Sequence, residues 1–143
     1  MKKIAIAFII IMLAASQLFA QTTKHSNVAA LKDSKAKGEI LYKQYCLTCH
    51  QADGYGVPNM NPPLIKTNYV SGDKRKLILW VLSGSGITKL SIGGNTYKNK
   101  MPAQKYLKDD EVANILTYVR NSFGNKGIMI TTTEVKAVRS TLK

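Results

Sequence analysis

"YCLTCHQADG", residues 45–54, holds both cysteines of a 143-residue chain and one of its two histidines. Cys46, Cys49 and His50 stand at i, i+3 and i+4, so on one helical turn all three project from the same face. The pentapeptide has the form C-x-x-C-H, which reads as an attachment site for a c-type haem. Two thiols on that face reach the two vinyl groups of one porphyrin, while the imidazole reaches its iron. Three other uses of the pair fit less well. A disulfide across so short a loop removes little unfolded-state entropy. A thioredoxin-like redox pair needs a βαβ context, and the sequence has no strand-like alternation of any length. Zinc takes four nitrogen or sulfur ligands, and beyond these three residues only His25 remains.

Outward from the motif, the N-terminus bounds the compartment. Lys2 and Lys3 precede an apolar run from Ile4 to Ala15, and Leu18-Phe19-Ala20 stand before Gln21. This is the order of a secretory signal peptide, residues 1–20. The apolar run is shorter than the ~20 residues a membrane span needs. Leu18 is large for its place in a cleavage site, and an uncleaved N-terminal anchor is the alternative. The expectation is an exported, periplasmic protein that meets a membrane only through partners or through such an anchor. Thioether formation then needs a dedicated attachment apparatus outside the cytoplasm. The net charge is +13, reduced by two if Lys2 and Lys3 are removed. That excess favours acidic partners, although it also serves solubility alone. It does not point to nucleic acid. No basic run exceeds Lys74-Arg75-Lys76, and no basic helix is interleaved with aromatics.

Residues 21–37 are polar, Lys-rich and without period, and read as a linker. Gly38 to Cys46 places Ile40, Leu41 and Tyr45 at helical spacing. Asp53 to Ile65 is a loop dense in Gly, Pro and Asn, and Ile87 to Lys100 is a second loop marked by Gly93-Gly94. Between them, Asp73 to Leu82 reads as a short helix with Asp73 as its N-cap, stopped by Ser83-Gly84-Ser85-Gly86. The strongest helix signal is Asp109 to Phe123. Val112, Ile115, Leu116, Val119 and Phe123 share one face, and Gly124 supplies the stop. Residues 126–143 form a tail with one more short helix capped by Thr133. Loops this long are uncommon in a compact domain unless something orders them, and the apolar residues are few for a core of their own. A porphyrin among the loops supplies the missing order. The expected fold is therefore all-α, with three to five short helices and long loops wrapped around one covalently bound haem over residues 38–125.

His50 fills one axial position of the iron. For the second, His25 lies in the linker, Met129 reads as an apolar anchor in the tail, and Met60 as packing near the porphyrin. Met101 precedes Pro102 and the last strong helix, far enough along for the chain to have crossed to the other haem face. A thioether there favours the ferrous state and raises the reduction potential. With both axial positions closed, what remains is transfer of one electron.

These segments together resemble the class I monohaem c-type cytochromes. "GEILYKQYCLTCHQADGYG", "NPPL" and "GGNTYKNKMPAQKYLKDDEVANILTYVRNSFGN" carry the resemblance, over roughly Gly38 to Asn125. It implies that α-helices at the two ends cross where Gly38 and Tyr42 meet Tyr118. It further implies that Pro62, or alternatively Pro63, offers its carbonyl to the His50 imidazole, and that Leu64 packs against the haem. Lys108 stands where the family often has a Ser or Thr cap, so Asp109 is expected to cap instead. Trp80 reads as a helix-face core residue rather than a propionate donor, and Arg120 as a solvated cation rather than a propionate partner. The pattern is most like exported cytochromes that serve periplasmic dehydrogenases and reductases or deliver to terminal oxidases. Its implications are redox partner proteins with an acidic docking face, met by Lys66, Lys98, Lys100 and Lys105, and a monomer or a subunit of a redox complex. Haem-based ligand sensing and a haem subunit of an oxidoreductase are the alternatives.

Overall fold

The structure is a computed structural model and describes residues 26–86 and 90–142. The expected signal peptide and His25 lie outside the described residues. By its internal contacts the chain divides into two units, residues 1–33 and 34–143, and the second contains the motif at 46–50 with the elements packed around it.

The first helix, α1, is helical throughout residues 26–45. Residues 26–37 are thus helix where a linker was expected. Ala29, Ala30, Leu31, Lys32, Lys35 and Ala36 are good helix formers, and no Gly or Pro interrupts them until Gly38. The face that turns inward is set by Gly38 and Tyr42, one turn apart; Tyr42 is buried, whereas Ile40 points to solvent, 68% exposed. A single turn, α2 (Leu47–His50), continues the same path, with the Cys46 N–H still donating to the Tyr42 carbonyl at 2.9 Å.

Beyond the loop come a single-turn α3 (Asn68–Ser71) and α4 (Lys74–Ser83). Asp73 caps α4 as expected, accepting the Lys76 N–H at 3.0 Å, and Leu77, Ile78, Val81 and Leu82 are its buried face. The second loop contains an antiparallel hairpin, β1 (Leu90–Ile92) with β2 (Asn95–Tyr97), paired Leu90 to Tyr97 and Ile92 to Asn95. Gly93 and Gly94 form its two-residue turn with φ of 57° and 81°. Both values are positive, as a type I′ hairpin turn demands. So the expected loop is partly sheet, although the fold remains dominated by helices.

The α5 helix (Asp109–Arg120) ends three residues earlier than its apolar spacing suggested. Phe123 leaves the helix at φ 55° and lays its ring over Gly54, where a Cβ would stand 2.6 Å from it. At the other end Lys108 occupies the cap position, and the Glu111 carboxylate accepts its N–H at 2.8 Å, so Asp109 is the first helical residue rather than the cap. The tail forms α6 (Thr132–Arg139), capped by Thr131 rather than Thr133. It packs on α4 and α5, and Ile130, Val135 and Val138 extend the core under it. Thr117 holds the lead into α6, donating to the Ile130 carbonyl (3.2 Å) and accepting its N–H (3.0 Å).

Arg120 is a correction to the sequence reading. It is 5% exposed, and its guanidinium donates to the carbonyls of Val70 (2.6 Å), Gly72 (3.2 Å), Ser71 (3.4 Å) and Ile128 (3.2 Å). It ties the end of α3 and the tail to α5, with backbone oxygens serving where a carboxylate usually would.

The crossing of α1 on α5 is the tightest contact. A Cβ at Gly38 would lie 2.0 Å from the Asn114 carbonyl oxygen and 2.8 Å from the Tyr118 Cβ. Beside it, the Tyr42 ring meets Tyr118 at 5.3 Å and Phe123 at 5.4 Å. Gly38→Ala should therefore lower the denaturation midpoint, by an amount corresponding to at least ~1–3 kcal/mol. An unchanged midpoint would mean that the helices do not meet there. A second expectation concerns pH. Burial works to raise the Glu134 carboxyl, but the Lys74 ammonium at 2.6 Å and the Thr131 N–H and hydroxyl outweigh it, holding the group below its ordinary 4.5. A lowered folded value means the contribution is complete above the ordinary range and is lost as pH falls through the folded value. Protection factors of α6 amides, corrected for the intrinsic pH dependence of exchange, should fall over that acid range in the native chain, and Glu134→Gln should flatten that fall.

Candidate functional site

Cys46, the cap of α2, and Cys49 and His50 within α2 share one turn, closed by the His50 N–H donating to the Cys46 carbonyl at 2.9 Å. Both cysteines are free thiols. Cys46 is half-buried, and burial, followed by the neighbouring Cys49, pushes its thiol up to about 12. It stays protonated rather than acting as a thiolate nucleophile. Cys49 is exposed.

His50 is 9% exposed, and its Nδ1 lies 3.1 Å from the Pro62 carbonyl oxygen. A carbonyl only accepts, so Nδ1 carries the proton and donates, leaving the Nε2 lone pair free to bind a metal. Burial lowers the imidazole below its usual value, with the Pro62 bond acting the other way. The carbonyl that reaches His50 is that of Pro62, not Pro63. Gly56 makes the approach possible: at φ 68°, a Cβ there would stand 2.3 Å from the Asn61 oxygen and 2.6 Å from the Pro62 oxygen. The loop is further closed by the Leu64 N–H donating to the Gly54 carbonyl (2.8 Å). Asn125 also holds it, donating to the Leu64 carbonyl at 2.9 Å and accepting the Lys66 N–H at 2.7 Å.

One slot collects most of these residues. His50, Cys46, Pro62, Leu64 and Met101 line it together, with walls from Val81 of α4 and Leu116 of α5. Its empty space is about 840 Å³ including the mouth. Met101 is half-buried and fixed through its backbone. Its N–H donates to the Ser85 hydroxyl (3.2 Å) and its carbonyl accepts the Ser85 N–H (3.2 Å). The chain passes so close at Gly84 that a Cβ there would stand 2.6 Å from the same carbonyl oxygen. Met60 is outside the lining and 49% exposed. Its loop is stitched to the chain before Met101, where Asn59 and Met60 carbonyls accept the N–H groups of Lys98 (3.2 Å) and Asn99 (3.0 Å). Met129 also lies outside the lining.

The sequence did not assign several residues to the walls. Trp80 is on the wall rather than in the core and stacks on Tyr69, their centroids 4.8 Å apart and planes 26° apart. Leu90 and Ile92 of β1 also face the slot. Their period of two was the available signal, too short to stand out.

An apolar slot lined by the Cys46 thiol, with Cys49 three residues on, an oriented imidazole and a thioether fits a flat, apolar macrocycle with a metal at its centre, and the chemistry of the donor set suits iron. Comparisons with known proteins agree. The sequence is 32% identical over 118 residues to a cytochrome c-552 of Thermus thermophilus, covering 75% of this chain and 77% of that one. It is 31% identical over 111 residues to the fructose dehydrogenase cytochrome subunit of Gluconobacter japonicus, covering 72% of this chain but 22% of the relative. With the cytochrome c subunit of the quinone alcohol dehydrogenase of Gluconacetobacter polyoxogenes the identity is 26% over 115 residues, 80% of this chain and 25% of that subunit. The cytochrome c family pattern matches residues 35–123, the stretch from mid-α1 through Phe123 that encloses the slot, and the chain therefore belongs to that family, an electron-transfer protein bearing covalent haem c.

Proposed function

We propose that this protein is an exported one-electron carrier whose haem is anchored by Cys46 and Cys49 and ligated by His50 and Met101. The observation that carries the reading is the convergence of the Pro62-oriented imidazole and the Ser85-held Met101 on one slot that Met60 does not line. The bound haem supplies the one-electron redox chemistry. The chain's part is to hold and insulate. Pro62 keeps the His50 tautomer whose Nε2 would hold the iron, the Met101 thioether would be the second protein ligand, and Leu64 with the α4 and α5 walls would exclude water. Removal of residues 1–20 and a periplasmic location complete the reading. None of the described helices is long and apolar enough to cross a membrane.

The partner is a redox protein with an acidic face. Lys66, Lys98, Lys100 and Lys105 are all exposed, on segments that adjoin the slot. A second reading, the haem subunit of a larger oxidoreductase, is favoured by the dehydrogenase cytochrome subunits among the relatives. Recovery of the protein from its source bound to a dehydrogenase would support that reading over free diffusion.

Two expectations test the proposal. Met101→Ala should abolish the thioether-to-ferric charge-transfer band and let carbon monoxide bind the reduced protein at once, while the alkaline pyridine spectrum still reports two thioether links. Retention of that band in the variant would transfer the ligand role to Met60. Reduction by the partner should slow by about ten-fold or more between ~10 mM and ~150 mM salt if opposite charges steer the encounter. A rate that ignores ionic strength rules out the acidic docking face.

A further inference from the structure

Residues 102–108 connect Met101 to α5, and this connection is held at both ends. At its start, Ser85 bonds Met101 and the Gln104 N–H donates to the Val81 carbonyl at 2.8 Å. At its far end, Arg139, the last residue of α6, uses its whole guanidinium. Nη1 donates to the Lys105 carbonyl (2.7 Å), Nη2 to the Leu107 carbonyl (2.6 Å) and Nε to the Asp109 carboxylate (2.6 Å). Ala103, Lys105, Arg139 and Leu142 also share a small cleft with Leu82, so the end of α6 flanks the middle of the connection as well.

The chemistry of this contact is specific to arginine. Its planar fork offers donors in fixed directions, which a lysine ammonium does not. The Arg139 side chain is 30% exposed, so its pairing with Asp109 alone is worth little. The two carbonyl bonds add what the charge pair does not, a fixed path for the backbone between Met101 and α5. Arg139 itself lies beyond Phe123, where the family pattern ends, whereas the connection that it holds lies within the pattern.

We propose that Arg139 is a positioning residue for Met101. The α6 helix acts as a strap that keeps the 102–108 connection closed, and so sets the fraction of molecules in which Met101 is off the iron. The inference rests on the His50/Met101 reading above. It has a quantitative consequence: an outside ligand that needs the sixth position binds only the displaced fraction, so its apparent affinity scales with that fraction.

The test is a titration of the ferric holoprotein with imidazole at fixed pH, following loss of the thioether-to-ferric charge-transfer band. Arg139→Gln should tighten apparent imidazole binding by about ten-fold, the scale of one or two lost charge-assisted hydrogen bonds. Arg139→Lys keeps the charge beside Asp109 without the fork and should fall between the two. Glu134→Gln loosens the opposite end of α6, where Lys74 is its partner, and should leave imidazole affinity at the wild-type value. Wild-type affinity in Arg139→Gln overturns the proposal. An equal rise in Glu134→Gln also overturns it, because the docking of α6 as a whole would then be the cause. A wild-type protein without the band removes the ligand reading and this inference together; a wild-type band with an unmoved Arg139→Gln removes the inference alone.

Discussion

At Gly38 the backbone of α1 comes so near the carbonyl of Asn114 that no side chain fits between them, and the cysteine-bearing turn is set against the α5 wall of the slot by that contact. Tyr42, one turn on, fills the space beside the crossing and donates its hydroxyl to the Gln51 carbonyl at 2.7 Å. This fixes where the helix ends and therefore where Cys46 and His50 emerge. From the other helix, Ile115, Leu116 and Val119 face the same space. A wider crossing would carry the cysteine-bearing turn away from the α5 wall, so the missing Cβ matters as much as any group present. Core side chains are packed too closely to absorb such a change without loss.

The parts legible in the sequence were those with local signals. C-x-x-C-H, the Asp73 cap and the apolar stripe of α5 each sit within a few residues of one another, so spacing alone places them. Met101 was reached by weighing the few candidate ligands along the chain, and Pro62 through resemblance to a family. What sequence reading missed depended on groups without a sequence signal of their own. Arg120 looked like a surface cation because its partners are backbone oxygens of Val70, Ser71, Gly72 and Ile128, which any residues would supply. Ile40 belongs to the apolar spacing of α1 and yet is exposed, because the inward face of α1 is chosen by a glycine, which contributes nothing to an apolar pattern. The hairpin escaped notice because three-residue strands show one alternation each. The α6 cap was misplaced by two positions within Thr131-Thr132-Thr133, where three equivalent hydroxyls compete.

The tail changes what the core is made of. Ile130, Val135 and Val138 bury fully against α4 and α5, and Thr117, Arg120 and Lys74 each bond the segment that leads there. A chain of this size buries a modest share of its surface, so an added apolar layer on the side away from the motif is a substantial gain. It also lets the slot side remain loop-rich, with Gly56, Gly84 and the prolines chosen for the paths they permit.

The single turn that bears Cys46, Cys49 and His50 has a consequence for biogenesis. These three groups are neighbours along the chain, so their relative placement needs no tertiary structure, only one helical turn. Met101 is separated from them by both long loops and α4, and bringing it near requires closing that whole length of chain, an entropic cost that falls late in folding. Anchoring therefore comes before enclosure: an unfolded polypeptide already displays everything the covalent step uses, while the shell that shields the metal is assembled afterwards around a group that can no longer diffuse away.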